Sequence, residues 1–251
     1  MINKDFQNGF IAGAVSGGVV EVIDTTEIDA LEDLIDNSGV LEDTEGSVSE
    51  KVEELIDLAQ WENFWYEQSS KWTSCIQNMF AEATIIPRLN CENMGYIRNI
   101  FAATQAERID YYINSGKSQE CSRCFQGSTK LIFIYGIDTS NCVTVAYMCD
   151  GCNSLETIQE PLNFQKVVSV NNASNVFRNC LVLKNVRFVK ETIKVSISFV
   201  WCPLLSAESI QSIIDGLAYV TTAQTLTLNS AITLTDEQKA TINAKGWTLA
   251  Q

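Results

Sequence analysis

Phe125-x-x-Ser128-x-x-Leu131-x-x-Ile134, Cys149-x-x-Cys152-x-x-Leu155-x-x-Ile158 and Phe177-x-x-Cys180-x-x-Leu183-x-x-Val186 are three versions of one pattern. Each sets apolar or small side chains three residues apart. A shorter version, Phe199-x-x-Cys202-x-x-Leu205, follows. Upstream, Ile76-Gln-Asn-Met-Phe80-Ala and Ile97-Arg-Asn-Ile-Phe101-Ala match each other at a separation of 21 residues. The anchor positions are therefore 80, 101, 125, 149, 177 and 199. A unit of about 20–29 residues is too short to bury its own apolar face, so neighbouring units have to stack. Cysteine or serine at the second position suits a tight interior, where a thiol packs as a small apolar group and donates weakly to a turn carbonyl.

Working outward, residues 206–251 depart from the pattern and read as a capping segment. Ser206-Ala-Glu-Ser209 starts a helix carrying Ile210, Ile213, Ile214 and Leu217, with Gly216 near its end. Thr225-Leu-Thr-Leu228 reads as a strand, and Thr235-Asp-Glu-Gln238 as a second helix start of the capping-box kind. Toward the N-terminus, Thr26-Glu-Ile-Asp29 and Ser47-Val-Ser-Glu50 open two acidic helices with narrow apolar stripes, the second running into Trp61, Phe64 and Trp65. Such stripes need a partner, in the same chain or in sister copies. The first 22 residues are rich in glycine around Phe6, Phe10 and Ile11 and read as an anchor that orders on a partner. The expected organisation is thus an anchor at 1–22, an acidic helical and possible oligomerising region at 23–71, stacked repeats at 72–205 and a cap at 206–251. The fold class expected is α/β, a short leucine-rich-repeat solenoid preceded by the anchor and acidic helices and closed by an α/β C-terminal cap.

Charge divides the chain in the same way. Residues 1–70 hold 17 acids and 2 bases, whereas residues 71–251 hold 14 acids and 15 bases. An acidic head on a nearly neutral body repels phosphate backbones and anionic lipid, which argues against nucleic acid or membrane as partner. No apolar run approaches the length of a membrane span, and the start lacks the basic and apolar regions of a signal peptide. Nine cysteines and no histidine fit a chain made in a reducing compartment, its thiols mostly buried.

The sharpest chemical signal is Cys121-Ser-Arg-Cys124 with Cys149-Asp-Gly-Cys152, two C-x-x-C pairs that a structural zinc site could use. The repeat offers a competing account, because Cys149 and Cys152 align with Phe125 and Ser128, and Cys121 and Cys124 with Val145 and Met148. Packing then explains all four, and no metal or other cofactor is expected. Without histidine no nucleophile, base and orienting group can be assembled, and no Gly-rich phosphate loop occurs. No catalytic residue is assigned and an enzyme is not expected. Tyr111, Tyr112, Tyr135, Tyr147 and Tyr219 in the repeats, and Trp61, Trp65, Tyr66 and Trp72 at their start, could stack on sugars or anchor protein contacts. No binding site follows from their spacing alone.

At Tyr147-Met148-Cys149-Asp-Gly-Cys152-Asn-Ser-Leu155, after Ile137-Asp-Thr-Ser-Asn141, the chain resembles BspA-like leucine-rich repeats, whose unit reads roughly Met-Phe-x-x-Cys-x-x-Leu-x-x-Ile. The ending from Glu208 through Trp247 is similar to that of tail or minor structural proteins of phages and prophages from Gram-positive hosts, and the start at Asn8-Gly-Phe-Ile-Ala-Gly13 to their anchors. The first two units depart by lacking the Cys and Leu positions. The resemblance implies a virion structural protein of the tail, baseplate or fibre, attached through its N-terminus and made in the host cytoplasm. It would contact other tail or baseplate proteins, form a homo-oligomer such as a trimer, and present its repeats for assembly or for recognition of a host-surface glycan or protein. An adhesin or protein-interaction module outside a virion is the alternative, and a zinc protein using Cys121, Cys124, Cys149 and Cys152 the third reading.

Overall fold

The computed structural model describes residues 60–75 and 77–251. The expected anchor at 1–22, the helix starts at Thr26 and Ser47, and Ile76 lie outside the described residues. The chain divides into two units, Met1–Phe64 and Trp65–Gln251. Helix α1 covers 60–69. Within the second unit its Trp65 is buried, the ring centroid 6.2 Å from Trp72 and 6.0 Å from Phe80.

From there the backbone is governed by turns. Phe80, Phe101, Phe125, Cys149 and Phe177 each stand fourth in a six-residue run of turns, at 77–82, 98–103, 122–127, 146–151 and 174–179. The second residue of every run (Asn78, Asn99, Arg123, Tyr147, Asn175) and the sixth (Glu82, Ala103, Gly127, Gly151, Asn179) have positive φ, between 53° and 78°. Asn and Gly enter that region at little cost, whereas Arg123 and Tyr147 pay about 1–2 kcal/mol each. Alternating the two hands of backbone turns amide groups to one side. Asn99, Phe101 and Ala103 donate their N–H groups to Ser122, Cys124 and Gln126 at 2.8–3.3 Å. Arg123, Phe125 and Gly127 donate to Ala146, Met148 and Asp150, and Tyr147, Cys149 and Gly151 to Ser174, Val176 and Arg178. Each run thus hands its donors forward to the next.

Side chains fill the interior in the same register. The Phe80 and Phe101 rings stack at 5.7 Å, Phe101 and Phe125 at 5.6 Å, and Phe177 and Phe199 at 5.1 Å. Three residues after each of the last four anchors, a hydroxyl or thiol donates to a carbonyl of the preceding run: Ser128 Oγ to Phe101 at 2.9 Å, Cys152 Sγ to Phe125 at 3.0 Å, Cys180 Sγ to Cys149 at 3.1 Å and Cys202 Sγ to Phe177 at 3.6 Å. Leu131, Leu155 and Leu183 are fully buried beside them, each contributing about 2 kcal/mol by leaving water.

Among the described residues six short strands form two separate sheets, both parallel. β1 (Arg108–Ile113), β2 (Phe133–Ile137) and β3 (Thr157–Ile158) make one, in that order. β4 (Ile197–Phe199), β5 (Gln224–Leu228) and β6 (Trp247–Ala250) make the other. Helices α2 (Ala207–Gly216) and α3 (Asp236–Ala244) lie between strands of the second sheet in sequence, and a 3-10 turn occupies Val170–Ala173. This arrangement overturns the leucine-rich-repeat solenoid. That architecture asks for a strand from every unit in one continuous sheet, and for a helical segment per unit. Here no strand lies between the runs at 77–82 and 98–103, the described strands are split into two sets of three, and α2 and α3 are confined to the end of the chain. The described residues form a small α/β fold with two three-stranded parallel sheets and three α-helices. The residues at three-residue spacing are buried as the pattern requires, but left-handed turns at fixed offsets from the anchors replace the strand-and-helix unit.

The C-terminal elements form where their caps were read. Ser206 Oγ accepts the Ser209 N–H at the start of α2, and Thr235 and Gln238 make a reciprocal capping box on α3. The far end of α2 is closed by a group from elsewhere: the buried Lys245 donates Nζ to the carbonyls of Ile214, Asp215 and Leu217 at 3.0, 3.1 and 2.8 Å. A cation at a helix C-terminus meets the carbonyls left without partners there. Burial pushes the Lys245 ammonium down from its ordinary value, opposed by the charges of Glu191 and Asp215.

Candidate binding face

The outer face of the first sheet gathers aromatic and charged side chains that are far apart in sequence. In β1, Ile109 and Ile113 point inward, while Arg108, Asp110 and Tyr112 are exposed. The strand carries a bulge between Ile109 and Tyr112, so two β1 residues oppose one on β2. Bulges re-aim side chains, and here Tyr112 comes to lie opposite Gly136 rather than a residue with a side chain. A Cβ at Gly136 would come within 2.6 Å of Glu160 Cβ and 2.8 Å of Tyr112 Cδ2. The glycine is therefore required for Tyr112 and Glu160 to close over the strand from either side. Tyr135, on the same strand, projects outward.

The polar groups on this face are held in place. Arg108 stacks its guanidinium 4.2 Å from the centre of the Phe133 ring and binds Asp110 through Nε and Nη2, at 3.0 and 2.7 Å to Oδ1. Its pKa is raised chiefly by that bond. Burial, and then the negative charges of Asp138 and Glu160, push the Tyr112 phenol above its usual range, so it stays protonated and able to donate. Arg187 donates Nε to the Gln159 carbonyl at 3.1 Å, and Asn185 Nδ2 to Thr157 Oγ1 at the same distance. Two exposed phenol rings flanked by fixed planar donors and acceptors can stack on the apolar face of a ring while bonding the hydroxyls around it.

The other aromatics named from the sequence have different surroundings. Tyr111 turns its hydroxyl to the Pro87 carbonyl at 2.7 Å. Tyr147 lies between two guanidiniums, Arg123 at 5.3 Å and Arg178 at 5.6 Å from its centroid. Arg178 is bound through Nε and Nη2, both at 2.7 Å, to the buried Asp150, which also accepts from Gln126 Nε2 at 3.0 Å. This group ties three successive runs together. Tyr66 faces Arg88, and the Lys245 ammonium lies 5.7 Å from the Tyr219 ring centre. Trp65 and Trp72 meet edge to face.

The four zinc-reading cysteines do not converge. Cys121 is joined to Cys142 as a disulfide, so the expectation of free thiols is corrected at this pair. The remaining seven are free, and Cys91, Cys124, Cys149, Cys152, Cys180 and Cys202 are buried. Burial pushes the thiols of Cys91 and Cys202 up to about 12. Cys149 is raised first by its bond with Cys152 and then by burial. Thiols held protonated, one of them already donating to a carbonyl, are poorly suited to metal, which binds thiolate. Among the described residues no group of three or more His, Cys, Asp or Glu side chains is placed to share an ion. Among the described residues, too, no helix is long and apolar enough to cross a membrane.

Sequence reading named Tyr112 and Tyr135 but could not place them together, and it passed over Arg108, Phe133, Gly136 and Glu160. The usable signal was their separation by one unit length, from Arg108 to Phe133 and from Tyr112 to Gly136. No family model, curated protein or solved structure matches the chain.

Proposed function

We propose that this protein acts by binding, and that the outer face of the first sheet recognises a glycan or glycan-bearing surface. The observation that carries this reading is the pair of exposed phenols, Tyr112 and Tyr135, on neighbouring parallel strands beside the fixed Arg108–Asp110 pair. Aromatic rings flanked by planar hydrogen-bonding groups are the chemistry that sugar rings demand, and nothing in it requires a proton-transfer group. The absence of histidine from the chain supports binding over catalysis.

The resemblance of the ending and start to phage and prophage tail proteins supports a place in a virion tail. There the acidic N-terminal region would serve attachment to tail proteins or to sister copies. The test has two arms. Glycan-array binding by the full chain should be lost in Tyr112→Ala/Tyr135→Ala while circular dichroism stays unchanged, and unchanged array binding by that variant overturns the sugar reading. Mass spectrometry of purified tail particles should contain the chain, and its absence there overturns the virion reading and leaves an adhesin or interaction module.

A further inference from the structure

The loops that follow the three strands of the first sheet line an open surface cavity. Gly116, Lys117 and Gln119 come after β1, Asn141 and Val143 after β2, and Lys166 after β3, and together they line a space of about 420 Å³. This falls within the range of about 300–1,000 Å³ typical of small-molecule sites, and loops beyond the carboxyl ends of parallel strands are where α/β folds bind ligands. The walls are fixed by bonds between successive loops. Asn141 Nδ2 donates to the Gly116 carbonyl, the Val143 N–H donates to the Gln119 carbonyl at 2.8 Å, and Lys117 Nζ is steadied by Asn93 Oδ1 at 2.8 Å.

Two ammonium groups therefore face a space whose lining contains no carboxylate. Lys166 has no hydrogen-bond or ion-pair partner among the described residues, and neither has the side-chain amide of Gln119. Asp138 stands beside Gly116. Asp138 accepts the Ser140 N–H through Oδ1 at 2.9 Å, and its Oδ2 lies 2.9 Å from where a Cβ on Gly116 would be. Glycine at 116 is thus needed to leave that carboxylate room. The set combines two cations, the free amide of Gln119 and a nearby carboxylate acceptor. A bare anion would use the lysines alone, whereas a neutral sugar would leave Lys166 unpaired.

We propose that this cavity holds an acidic sugar unit, a hydroxylated ring bearing a carboxylate or a phosphate, with Lys117 and Lys166 on the acid and Gln119 and Asp138 on the hydroxyls. Calorimetric titration of the full chain with glucuronate, a hexose phosphate, glucose and inorganic phosphate tests it. One or both acidic sugars bind, and their ratio identifies the acid. Glucose and inorganic phosphate bind weaker by about tenfold or more. Lys166→Glu and Lys117→Glu each reduce acidic-sugar binding by about tenfold or more, with the thermal midpoint held because both side chains are at the surface. Failure of both acidic sugars to bind, or equal binding by Lys166→Glu, overturns the proposal, as does inorganic phosphate binding as tightly as the hexose phosphate. Tyr135→Ala retains acidic-sugar binding in the cavity, which separates this site from the sheet-face reading.

Discussion

The runs of turns between 77 and 179 and the strands at 197–250 solve the same packing problem with different backbones. Both stack successive segments in parallel around buried anchors that are aromatic except at Cys149, with Phe177 and Phe199 in contact across the boundary. In the first region, Asn and Gly recur at the offsets that need positive φ, and the inter-run hydrogen bonds point one way. In the second, Gln-Thr-Leu-Thr-Leu and Trp-Thr-Leu-Ala are extended, and ordinary parallel ladders join β4 to β5 and β5 to β6. The two schemes do not mesh. Among the described residues no backbone hydrogen bond links 174–179 to 197–199, and the junction is made by ring stacking, by the Cys202 thiol and, on the far wall, by Lys184 with Ser206 and Ser209. An interior pattern can therefore be satisfied by either backbone, and the residues at the turning points choose between them.

The largest expected effect comes from charging either interior. Leu155→Asp in the first region and Leu228→Asp in the second each bury an unpaired carboxylate, at an expected cost of about 3–5 kcal/mol. Because the shared Phe177–Phe199 contact couples the regions, hydrogen exchange should show both losing protection together; survival of 197–250 in Leu155→Asp would break that coupling.

Alkali should separate the regions next. The ordinary thiol value is 9.0, and Cys91 and Cys202 titrate at about 12 in the fold. Between these values the unfolded chain has lost protons that the native chain keeps, so stability is full below pH 9 and falls as pH rises toward 12. Burial also raises Cys124 and Cys180, and Cys149 is raised by its bond with Cys152 and then by burial, so four raised thiols lie in, between or directly after the turn runs, against Cys202 alone for the strand region. Denaturant midpoints measured from pH 8 to 11 should fall, and Cys202→Ser should leave most of that fall in place.

Lys245→Ala should cost about 2 kcal/mol, read from urea unfolding, by freeing three carbonyls at the end of α2. The smallest pair is the most direct on backbone choice. Ala103→Gly relieves a positive φ of 55° and should stabilise by about 1 kcal/mol, whereas Thr227→Gly in β5 should destabilise by about 1 kcal/mol. Thermal midpoints moving in the same direction for both would contradict the distinction drawn between the regions.

Legibility in the sequence followed locality. The anchors, the thiols three residues later and the capping residues Ser206 and Thr235 announce themselves, since each depends on side-chain size or on partners within one helical turn. The left-handed positions were half visible: Asn78, Asn99, Asn175 and Gly151 fit them, but Arg123, Tyr147 and Glu82 occupy the same offsets and hide the regularity. That is why the spacing read as a strand-and-helix unit and the structure does not contain one.

By itself, then, the sequence determined which side chains leave water, where α2 and α3 begin, and how charge is divided along the chain. Tertiary structure alone decided the backbone hand of the turn runs, the split into two sheets, and the meeting of Tyr112 with Gly136 and of Lys117 with Lys166. The physical reason is range. Burial preference and capping are properties of a residue and its near neighbours, whereas register between segments some two dozen residues apart is settled only when the stacked segments bond to one another.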